Sequence, residues 1–201
     1  MRVREIGPAV WAASGTPRTE EVTAADRIAV RGAAPWRAQQ LLGGRALLRA
    51  LLSQVLPQAA GAPVVAGPNG KPFLHGRPRL GISISHDDEH LAVCVGADRR
   101  VGVDIQLPPD RVGARLLRRC ARGHLEALAG LSPRRRDTVF AEIWTVQEAC
   151  VKADGSGIGG LPWTIDVPPH ADRGSWQGLQ WRKVRGLADA PMACAWDEES
   201  R

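Results

Sequence analysis

Two carboxylates and one lysine are the residues of this sequence whose types and spacing could support chemistry. Asp104 lies in the run Val101-Gly-Val-Asp-Ile105, and a carboxylate in such an apolar strand is costly to bury unless a cation, for example a metal ion, pairs with it. Glu148 and Lys152 are four residues apart, a spacing whose ordinary interpretation on a helix is a surface ion pair. Together they could supply oxygens for a hard dication, a base, and a cation for negative charge that develops in a reaction.

A long helix is predicted to carry Glu148 and Lys152. Ser132 can cap its first N–H groups, Pro133 suits the first helical position, and Gly155 can end it in the left-handed conformation. A stripe of side chains at helical spacing predicts the face that packs on a core. Its members are Phe140, Ile143, Trp144, Gln147 and Val151. Glu148 and Lys152 fall at the edge of this stripe, where a cleft would begin.

Three short strands are predicted ahead of that helix. They cover residues 80–86, 91–95 and 101–105. The polar turn at residues 97–100 predicts that the last two strands pair as a hairpin. This sheet would place Ser85 and His86 at the end of one strand and Asp104 near the end of another. A lone histidine such as His86 is more often a capping or surface residue than a catalytic one.

The rest of the chain is expected to alternate helices and short strands around turns. Helices are predicted over residues 35–55 and 111–128, and strands near 9–13, 163–167, 179–184 and 192–196. A polar turn is expected at residues 14–17, and the glycine run at 155–160 is a linker at least as often as a phosphate cradle. This pattern predicts an α+β protein whose later strands close a second sheet.

Charge and cysteine usage limit the function classes. The 201 residues carry a formal net charge of +6, so we expect an anionic partner. Much of the excess comes from the arginines at 115, 118, 119, 122 and 134–136. Four cysteines without a C-x-x-C pair predict neither a zinc site nor a disulfide framework, which favours a reduced cytoplasm. The first twenty residues hold no long apolar run and no later stretch is long enough to span a bilayer, so we expect neither a secretory signal nor a membrane association.

Three motifs in this sequence resemble those of one enzyme family. The run Trp144-Thr-Val-Gln-Glu-Ala-Cys-Val-Lys152, followed by glycines, resembles the signature helix of the 4′-phosphopantetheinyl transferases, where Trp-Thr/Ser-x-Lys-Glu-Ala-x-x-Lys precedes a glycine turn. Ile-Ser-His at 84–86 with Gly-Val-Asp-Ile at 102–105, and Gly-Lys-Pro at 70–72, resemble further motifs in the family's order. Two positions depart from the pattern: Gln147 replaces a lysine, and Gln106 replaces a glutamate. The joint occurrence of the three motifs over residues 67–159 is far more specific than any single motif.

The resemblance implies a fold and an activity. The family fold consists of two similar α/β halves that form an intramolecular pseudo-dimer, which here implies a half at 1–107 with the coenzyme A and metal motifs and a half at 108–201 with the signature helix. The implied reaction is magnesium-dependent transfer of 4′-phosphopantetheine from coenzyme A to a serine of an acyl or peptidyl carrier protein, releasing adenosine 3′,5′-bisphosphate. Chain length further suggests the surfactin-synthetase-activating type, which is monomeric, since the short trimeric branch has subunits about half as long.

The resemblance also implies roles for individual residues. Asp104, Gln106 and Glu148 would bind magnesium; Glu148 would serve as base, directly or through water; and Lys152 would stabilise the breaking pyrophosphate bond. His86 would join Glu148 and Lys152 as a catalytic residue. The coenzyme A site would be formed by Arg45, Lys71, Pro72, Ser85, His86 and Lys152. Gln106 can still offer a neutral oxygen to the metal, with weaker affinity than a glutamate. Gln147 is expected to remove one positive charge beside the phosphates.

Other functions remain open at this point. A basic nucleic-acid-binding module using the arginines of residues 111–136 would account for the charge but leaves Asp104 and Glu148 unexplained. A non-catalytic relative that binds coenzyme A or a carrier without turnover is another alternative. If the chain is a transferase, we expect no nucleic acid or membrane partner, and the arginines between 115 and 122 would meet an acidic helix of the carrier.

Overall fold

Helices and strands alternate along the chain in a computed structural model that describes residues 1–16 and 22–198. The strands are β1 (Arg2–Gly7), β2 (Val10–Gly15), β3 (Val64–Ala66), β4 (Pro72–Leu74), β5 (Leu80–Asp87), β6 (His90–Ala97), β7 (Val101–Ile105), β8 (Arg173–Trp176), β9 (Leu179–Lys183) and β10 (Met192–Asp197). The α-helices are α1 (Ala24–Ala29), α2 (Pro35–Val55), α3 (Ala114–Cys120), α4 (Leu125–Ala129) and α5 (Pro133–Asp154). This mixture of helix and sheet confirms the predicted α+β class. No helix among the described residues is long and apolar enough to cross a membrane.

The first sheet has the strand order β1-β2-β6-β5 and is antiparallel throughout. Helix α2 lies on β2, β5 and β6. It begins with Pro35 at its first position, where the missing N–H is not needed. Leu48, Leu51 and Leu52 are fully buried and pack with Leu91 of β6 in one hydrophobic cluster. Burial of this leucine face orients α2 over the first sheet.

The second sheet has the order β7-β10-β9-β8 and carries the signature helix α5. Ile143, Val146 and Cys150 are fully buried in its core. Gly155 has φ 87° and ends α5 in the left-handed conformation, as predicted. The Ser132 side chain makes no capping hydrogen bond, so that part of the prediction is wrong.

Strand β7 does not form the predicted hairpin with β6. Strand β6 is hydrogen-bonded to β2 along one edge and to β5 along the other, so neither edge is left for β7. Strand β7 pairs antiparallel with β10 instead, and Asp104 lies opposite Ala193. The side chains of Val101 and Val103 pack in one cluster with Cys94 of β6. The hairpin prediction is therefore wrong, because β7 meets the first sheet through its side chains and belongs to the second.

The change from the first sheet to the second falls between β6 and β7. This lies ahead of the division predicted at residue 107, and the assignment of separate halves stays a prediction. The sequence did not predict several of the smaller elements. These are the two-stranded sheet β3-β4, the edge strands β1 and β8 of the two larger sheets, and helix α1. Ser14 and Gly15 of the predicted turn at 14–17 belong to β2, and Pro17 lies outside the described residues.

Two predicted elements have a different local structure. The helix expected over residues 111–128 is divided into α3 and α4 by a 3₁₀ turn at Arg122–His124, where Gly123 lowers helix propensity. The strand expected over residues 163–167 is a 3₁₀ turn at Pro162–Thr164 followed by irregular chain. Ile165 and Val167 are buried there, so the apolar alternation reflects burial of an irregular segment.

Candidate active site

One cavity of about 340 Å³ brings together residues from both sheets. Strand β5 contributes Ser85 and His86 to it, β7 contributes Asp104, and α5 contributes Glu148 and Lys152. It is also lined by Ile84, Ile105, Gln106 and Trp144. The motifs thus meet only in part: residues 84–86, the last two residues of the 102–105 motif and the signature helix share this cavity, whereas the Gly-Lys-Pro motif does not line it.

The ammonium of Lys152 is held by two partners inside the cavity. It donates to Asp104 Oδ1 at 2.6 Å and to Ser85 Oγ at 2.9 Å. The Ser85 hydroxyl in turn donates to the same Asp104 oxygen at 2.7 Å. Since a lysine ammonium has three N–H groups, one remains for a ligand. Asp104 is buried at 6% exposure, so its charge is compensated by Lys152 and Ser85, as the cost of burial requires.

Glu148 has the environment of a group that lacks a partner. Its Oε1 atom is buried and makes no hydrogen bond with the described residues. Burial, followed by the negative charge of Asp104, raises the pKa of the Glu148 carboxyl, and the Lys152 ammonium opposes this rise. A cation would relieve the repulsion between the two carboxylates and fill the free coordination of Oε1. The donor set is therefore of the kind that a hard dication accepts.

The oxygen ligands of this cavity are few. No group of three or more His, Cys, Asp or Glu side chains that could hold a metal ion occurs among residues 1–16 and 22–198. The cavity is lined by two carboxylate side chains, Asp104 and Glu148, and by one side-chain amide, Gln106. This set fits a cation that keeps several of its water ligands, as Mg²⁺ commonly does.

Gln106 has a fixed partner that the sequence did not reveal. Its amide nitrogen donates to Asp87 Oδ2 at 2.8 Å, and the backbone N–H of Leu107 donates to the same oxygen at 2.6 Å. Asp87 is the last residue of β5, next to His86 in the Ser-His motif. The only sequence signal was a polar turn at this point, because nothing in the spacing of 87 and 106 shows that two strand ends meet.

Gln147 does not line the cavity, so the predicted loss of a positive charge beside the phosphates is wrong. Its side chain is fully buried and donates through Nε2 to the carbonyl oxygens of Cys120 and Ile165, both at 2.8 Å. Gln147 therefore joins α5 to the end of α3 and to the segment after the 3₁₀ turn. Its neighbour Glu148 points to the cavity because successive helical residues are rotated by about 100°.

His86 lies between the first cavity and a second one of about 230 Å³. Arg45, Pro72 and Arg37 also line the second cavity. Arg37 Nη1 lies 3.0 Å from His86 Nε2. Burial, followed by the positive charges of Arg37 and Lys152, lowers the pKa of His86, which favours the neutral imidazole as an acceptor for Arg37. Arg45 is partly committed already, since it donates to Asp26 Oδ1 at 3.1 Å.

Lys71 does not line the cavities that contain Arg45, His86 and Lys152. Its ammonium donates to the backbone carbonyl of Ala153 at 2.5 Å, at the end of α5, and Asn69 donates to the carbonyl of Gly155 at 3.3 Å. Lys71 lines a third cavity of about 610 Å³, which shares Pro72 with the second. Burial, followed by the charge of Arg100, lowers the pKa of Lys71. The ammonium thus fastens the Gly-Lys-Pro segment to the signature helix, and the structure does not bring it into the cavity of Lys152.

The arginines predicted to meet a carrier have different surroundings. Arg115, Arg118 and Arg122 are exposed on α3 and the 3₁₀ turn that follows it. The guanidinium of Arg119 lies 3.4 Å from the centre of the Trp163 ring, a cation–π contact. Arg119 is therefore partly structural, and the other three form the exposed basic surface of this segment.

Comparisons with known proteins show what this segment of the chain is similar to. Residues 100–189 match the family described as the 4′-phosphopantetheinyl transferase superfamily. A putative 4′-phosphopantetheinyl transferase of Synechocystis is 32% identical over 133 residues, which are 63% of this chain and 53% of the relative. The 4′-phosphopantetheinyl transferase AcpT of Escherichia coli O157:H7 is 30% identical over 131 residues, 64% of this chain and 62% of the relative, and AcpT of Salmonella typhi is 32% identical over 126 residues, 62% and 60%.

The matched segment contains much of the cavity described above. It holds β7 with Asp104, the amide of Gln106 and the whole of α5 with Glu148 and Lys152. The chain spans between about half and three fifths of the length of these curated relatives. None of them carries a name that specifies the surfactin-synthetase-activating type. Residues 100–189 of this chain are therefore similar to the 4′-phosphopantetheinyl transferase superfamily.

Proposed function

We propose that this protein transfers 4′-phosphopantetheine from coenzyme A to a serine hydroxyl of an acyl or peptidyl carrier protein, releasing adenosine 3′,5′-bisphosphate. The observation that carries the proposal is the convergence of Asp104, Glu148 and Lys152 in one cavity, within the segment that matches the transferase superfamily. The relatives' names, 4′-phosphopantetheinyl transferase, support the same activity.

Asp104, Glu148 and Gln106 are proposed to hold a magnesium ion. A bound Mg²⁺ would neutralise negative charge on the pyrophosphate oxygens and help to orient them. The buried and unpartnered Oε1 of Glu148 is the feature of this chain that supports the assignment. Asp104 has one oxygen engaged by Lys152 and Ser85, which leaves its second oxygen for the ion.

Glu148 is proposed to accept the proton of the carrier serine, directly or through water. The serine oxygen forms a bond to the phosphorus that carries pantetheine, and the bond from that phosphorus to the bridging oxygen breaks. Burial beside Asp104 raises the pKa of Glu148, and a bound cation would lower it again, so the carboxylate would be ionised and able to accept the proton. The electron pair of the broken bond leaves with adenosine 3′,5′-bisphosphate.

Lys152 is proposed to stabilise the charge that develops on the departing phosphate. Its contacts with Asp104 and Ser85 fix the ammonium in advance, and its third N–H group can donate to a phosphate oxygen. His86 and Arg45, with Pro72, are proposed to bind the remaining part of coenzyme A in the second cavity, which shares the lining residue His86 with the first. Lys71 acts there only if its bond to Ala153 is exchanged for one to the nucleotide.

The carrier is proposed to present an acidic helix to Arg115, Arg118 and Arg122. We further propose that the chain works as a monomer in the cytoplasm, with two α/β halves related as a pseudo-dimer of the surfactin-synthetase-activating type. The support for the halves is that each four-stranded sheet carries one long helix, α2 on the first and α5 on the second. Neither a nucleic acid nor a membrane partner is part of the proposal.

The test is an incubation of the protein with coenzyme A, Mg²⁺ and an apo carrier protein, read by intact mass. We expect the carrier to gain one phosphopantetheine, with loss of the gain when Glu148→Gln replaces one oxygen by a nitrogen. Glu126→Gln is the matched control, because it makes the same chemical change at an exposed residue of α4, away from the cavity. Binding of coenzyme A without a mass gain would indicate a non-catalytic relative, and binding of DNA or RNA alone would indicate a nucleic-acid-binding module.

A further inference from the structure

We infer that Asp87 is a positioning residue that turns the carbonyl oxygen of the Gln106 amide toward the cavity of the candidate active site. The inference deepens the proposed function and rests on it, because it assumes that the cavity binds a divalent cation. Asp87 has no role in the mechanism proposed above.

The hydrogen bonds determine which end of the Gln106 amide faces Asp87. The amide nitrogen lies 2.8 Å from Asp87 Oδ2 and 3.4 Å from the carbonyl oxygen of Leu107. Both of these groups only accept hydrogen bonds when the carboxylate is ionised. The end of the amide that faces them must therefore be the NH₂ group, and the oxygen must lie on the other side.

Asp87 is anchored independently of Gln106. It is the last residue of β5 and lies opposite His90 in the β5–β6 pairing. The backbone N–H of Leu107 donates to Asp87 Oδ2 at 2.6 Å, so this carboxylate oxygen is held at the end of β7 whatever the side chain at position 106 does. A fixed acceptor of this kind can orient a flexible amide.

The oxygen of Gln106 is left for a ligand. Gln106 lines the same cavity as Asp104 and Glu148, and no donor among the described residues hydrogen-bonds to its oxygen. A neutral amide oxygen is a ligand that hard dications accept, whereas an NH₂ group would repel them. A freely rotating amide would present either end, so the bond to Asp87 selects the end that can bind a cation.

The pairing also explains why glutamine suits this position. A glutamate at 106 would bring a second carboxylate to about the same place as the amide nitrogen, 2.8 Å from Asp87 Oδ2, with no proton between the two. The advantage of a charged metal ligand at 106 would then be offset by repulsion from Asp87. Asp87 and Gln106 act as a matched pair.

The experiment measures the affinity for Mn²⁺ alone, by electron paramagnetic resonance of the free ion, without coenzyme A or carrier. Asp87→Ala removes the acceptor and should weaken Mn²⁺ binding about ten-fold, the low end for loss of an outer-shell partner. Asp87→Asn removes the charge but keeps an oxygen that can accept from Leu107 and Gln106, so it should keep most of the affinity. Glu89→Ala is the charge-matched control on the same turn, where Glu89 is exposed, and should change the affinity by less than about two-fold because exposed charges are screened.

Repeating the Asp87 substitution in a Gln106→Glu variant separates the orientation of the Gln106 amide from a general effect on structure. With Gln106→Glu either side-chain oxygen can face the cation, so Asp87→Ala should then leave Mn²⁺ affinity unchanged or strengthen it. The inference is overturned if Asp87→Asn weakens binding as much as Asp87→Ala, if Asp87→Ala has the same effect in both backgrounds, or if the wild type shows no saturable Mn²⁺ binding. The intact-mass assay is run on the same samples. Transfer by the wild type with unchanged Mn²⁺ affinity in Asp87→Ala refutes this inference alone, and absence of transfer with the expected Mn²⁺ pattern refutes the proposed transferase alone.

Discussion

Replacing Asp26 by asparagine should strongly destabilise the fold, because this carboxylate is the buried counter-charge of Arg49. The Asp26 side chain is completely buried, and that of Arg49 is 4% exposed. Arg49 donates to Asp26 through Nε at 2.6 Å and Nη2 at 3.0 Å, and Arg45 donates at 3.1 Å. Thr23 adds bonds from its N–H and hydroxyl groups in a capping box at the start of α1. In Asp26→Asn the Arg49 guanidinium would remain buried beside a neutral amide.

The magnitude has a part that depends on pH. Burial by itself raises the pKa of Asp26, but hydrogen bonds from Arg49 and Thr23 outweigh it and lower the pKa from 3.8 to about 2. This difference corresponds to about 2 kcal/mol, at about 1.4 kcal/mol per pH unit. Because the folded-state pKa is the lower one, the stabilisation is fully present above about pH 4 and is lost as the pH falls toward 2. Removing one partner of a buried ion pair costs about 3–5 kcal/mol in total at neutral pH.

The assay is urea unfolding of wild type and Asp26→Asn, followed by tryptophan fluorescence at several pH values between 7 and 2.5. We expect the difference in free energy of unfolding to be largest at neutral pH and to shrink by about 2 kcal/mol toward the acid end. Asp98→Asn is the control, since the ion pair of Asp98 with Arg79 is exposed and its loss should have little effect. A stability difference that stays constant with pH, or an Asp26→Asn variant as stable as the wild type, would refute the role assigned to this carboxylate.

Three further predictions concern the site and its surroundings. Lys152→Ala should lower kcat about a hundred-fold and change the KM for coenzyme A much less, measured by steady-state kinetics; an effect on KM alone would assign Lys152 to ground-state binding. Gln147→Met leaves two buried carbonyl groups without their donor and should cost about 3 kcal/mol in urea unfolding, with turnover unchanged because Gln147 does not line the cavity. Arg115→Glu with Arg118→Glu should raise the KM for the carrier at low salt and flatten its salt dependence, and a change in the KM for coenzyme A instead would place the nucleotide at this surface.

The local elements that position the chemistry were largely predictable from the sequence. The bounds of α2 follow from Pro35 at its start and Pro57 beyond its end, and α5 ends at Gly155 where a left-handed residue is needed. Strand β7 has the predicted bounds, because its β-branched residues Val101, Val103 and Ile105 favour a strand. These features depend on backbone propensities and on neighbours close in sequence, which a single chain displays directly.

Pairing between distant segments was decided only by the tertiary structure. The sequence alone showed a strand at 101–105 but not that both edges of β6 are occupied, so β7 was assigned to the wrong partner. The helical spacing correctly predicts that Gln147 lies on the buried side of α5, but only the structure shows that its side chain links α5 to Cys120 and Ile165. Asp87 and Gln106 are 19 residues apart and meet because β5 and β7 end at the same place. Such contacts depend on how whole sheets pack, a property that no local spacing of residues encodes.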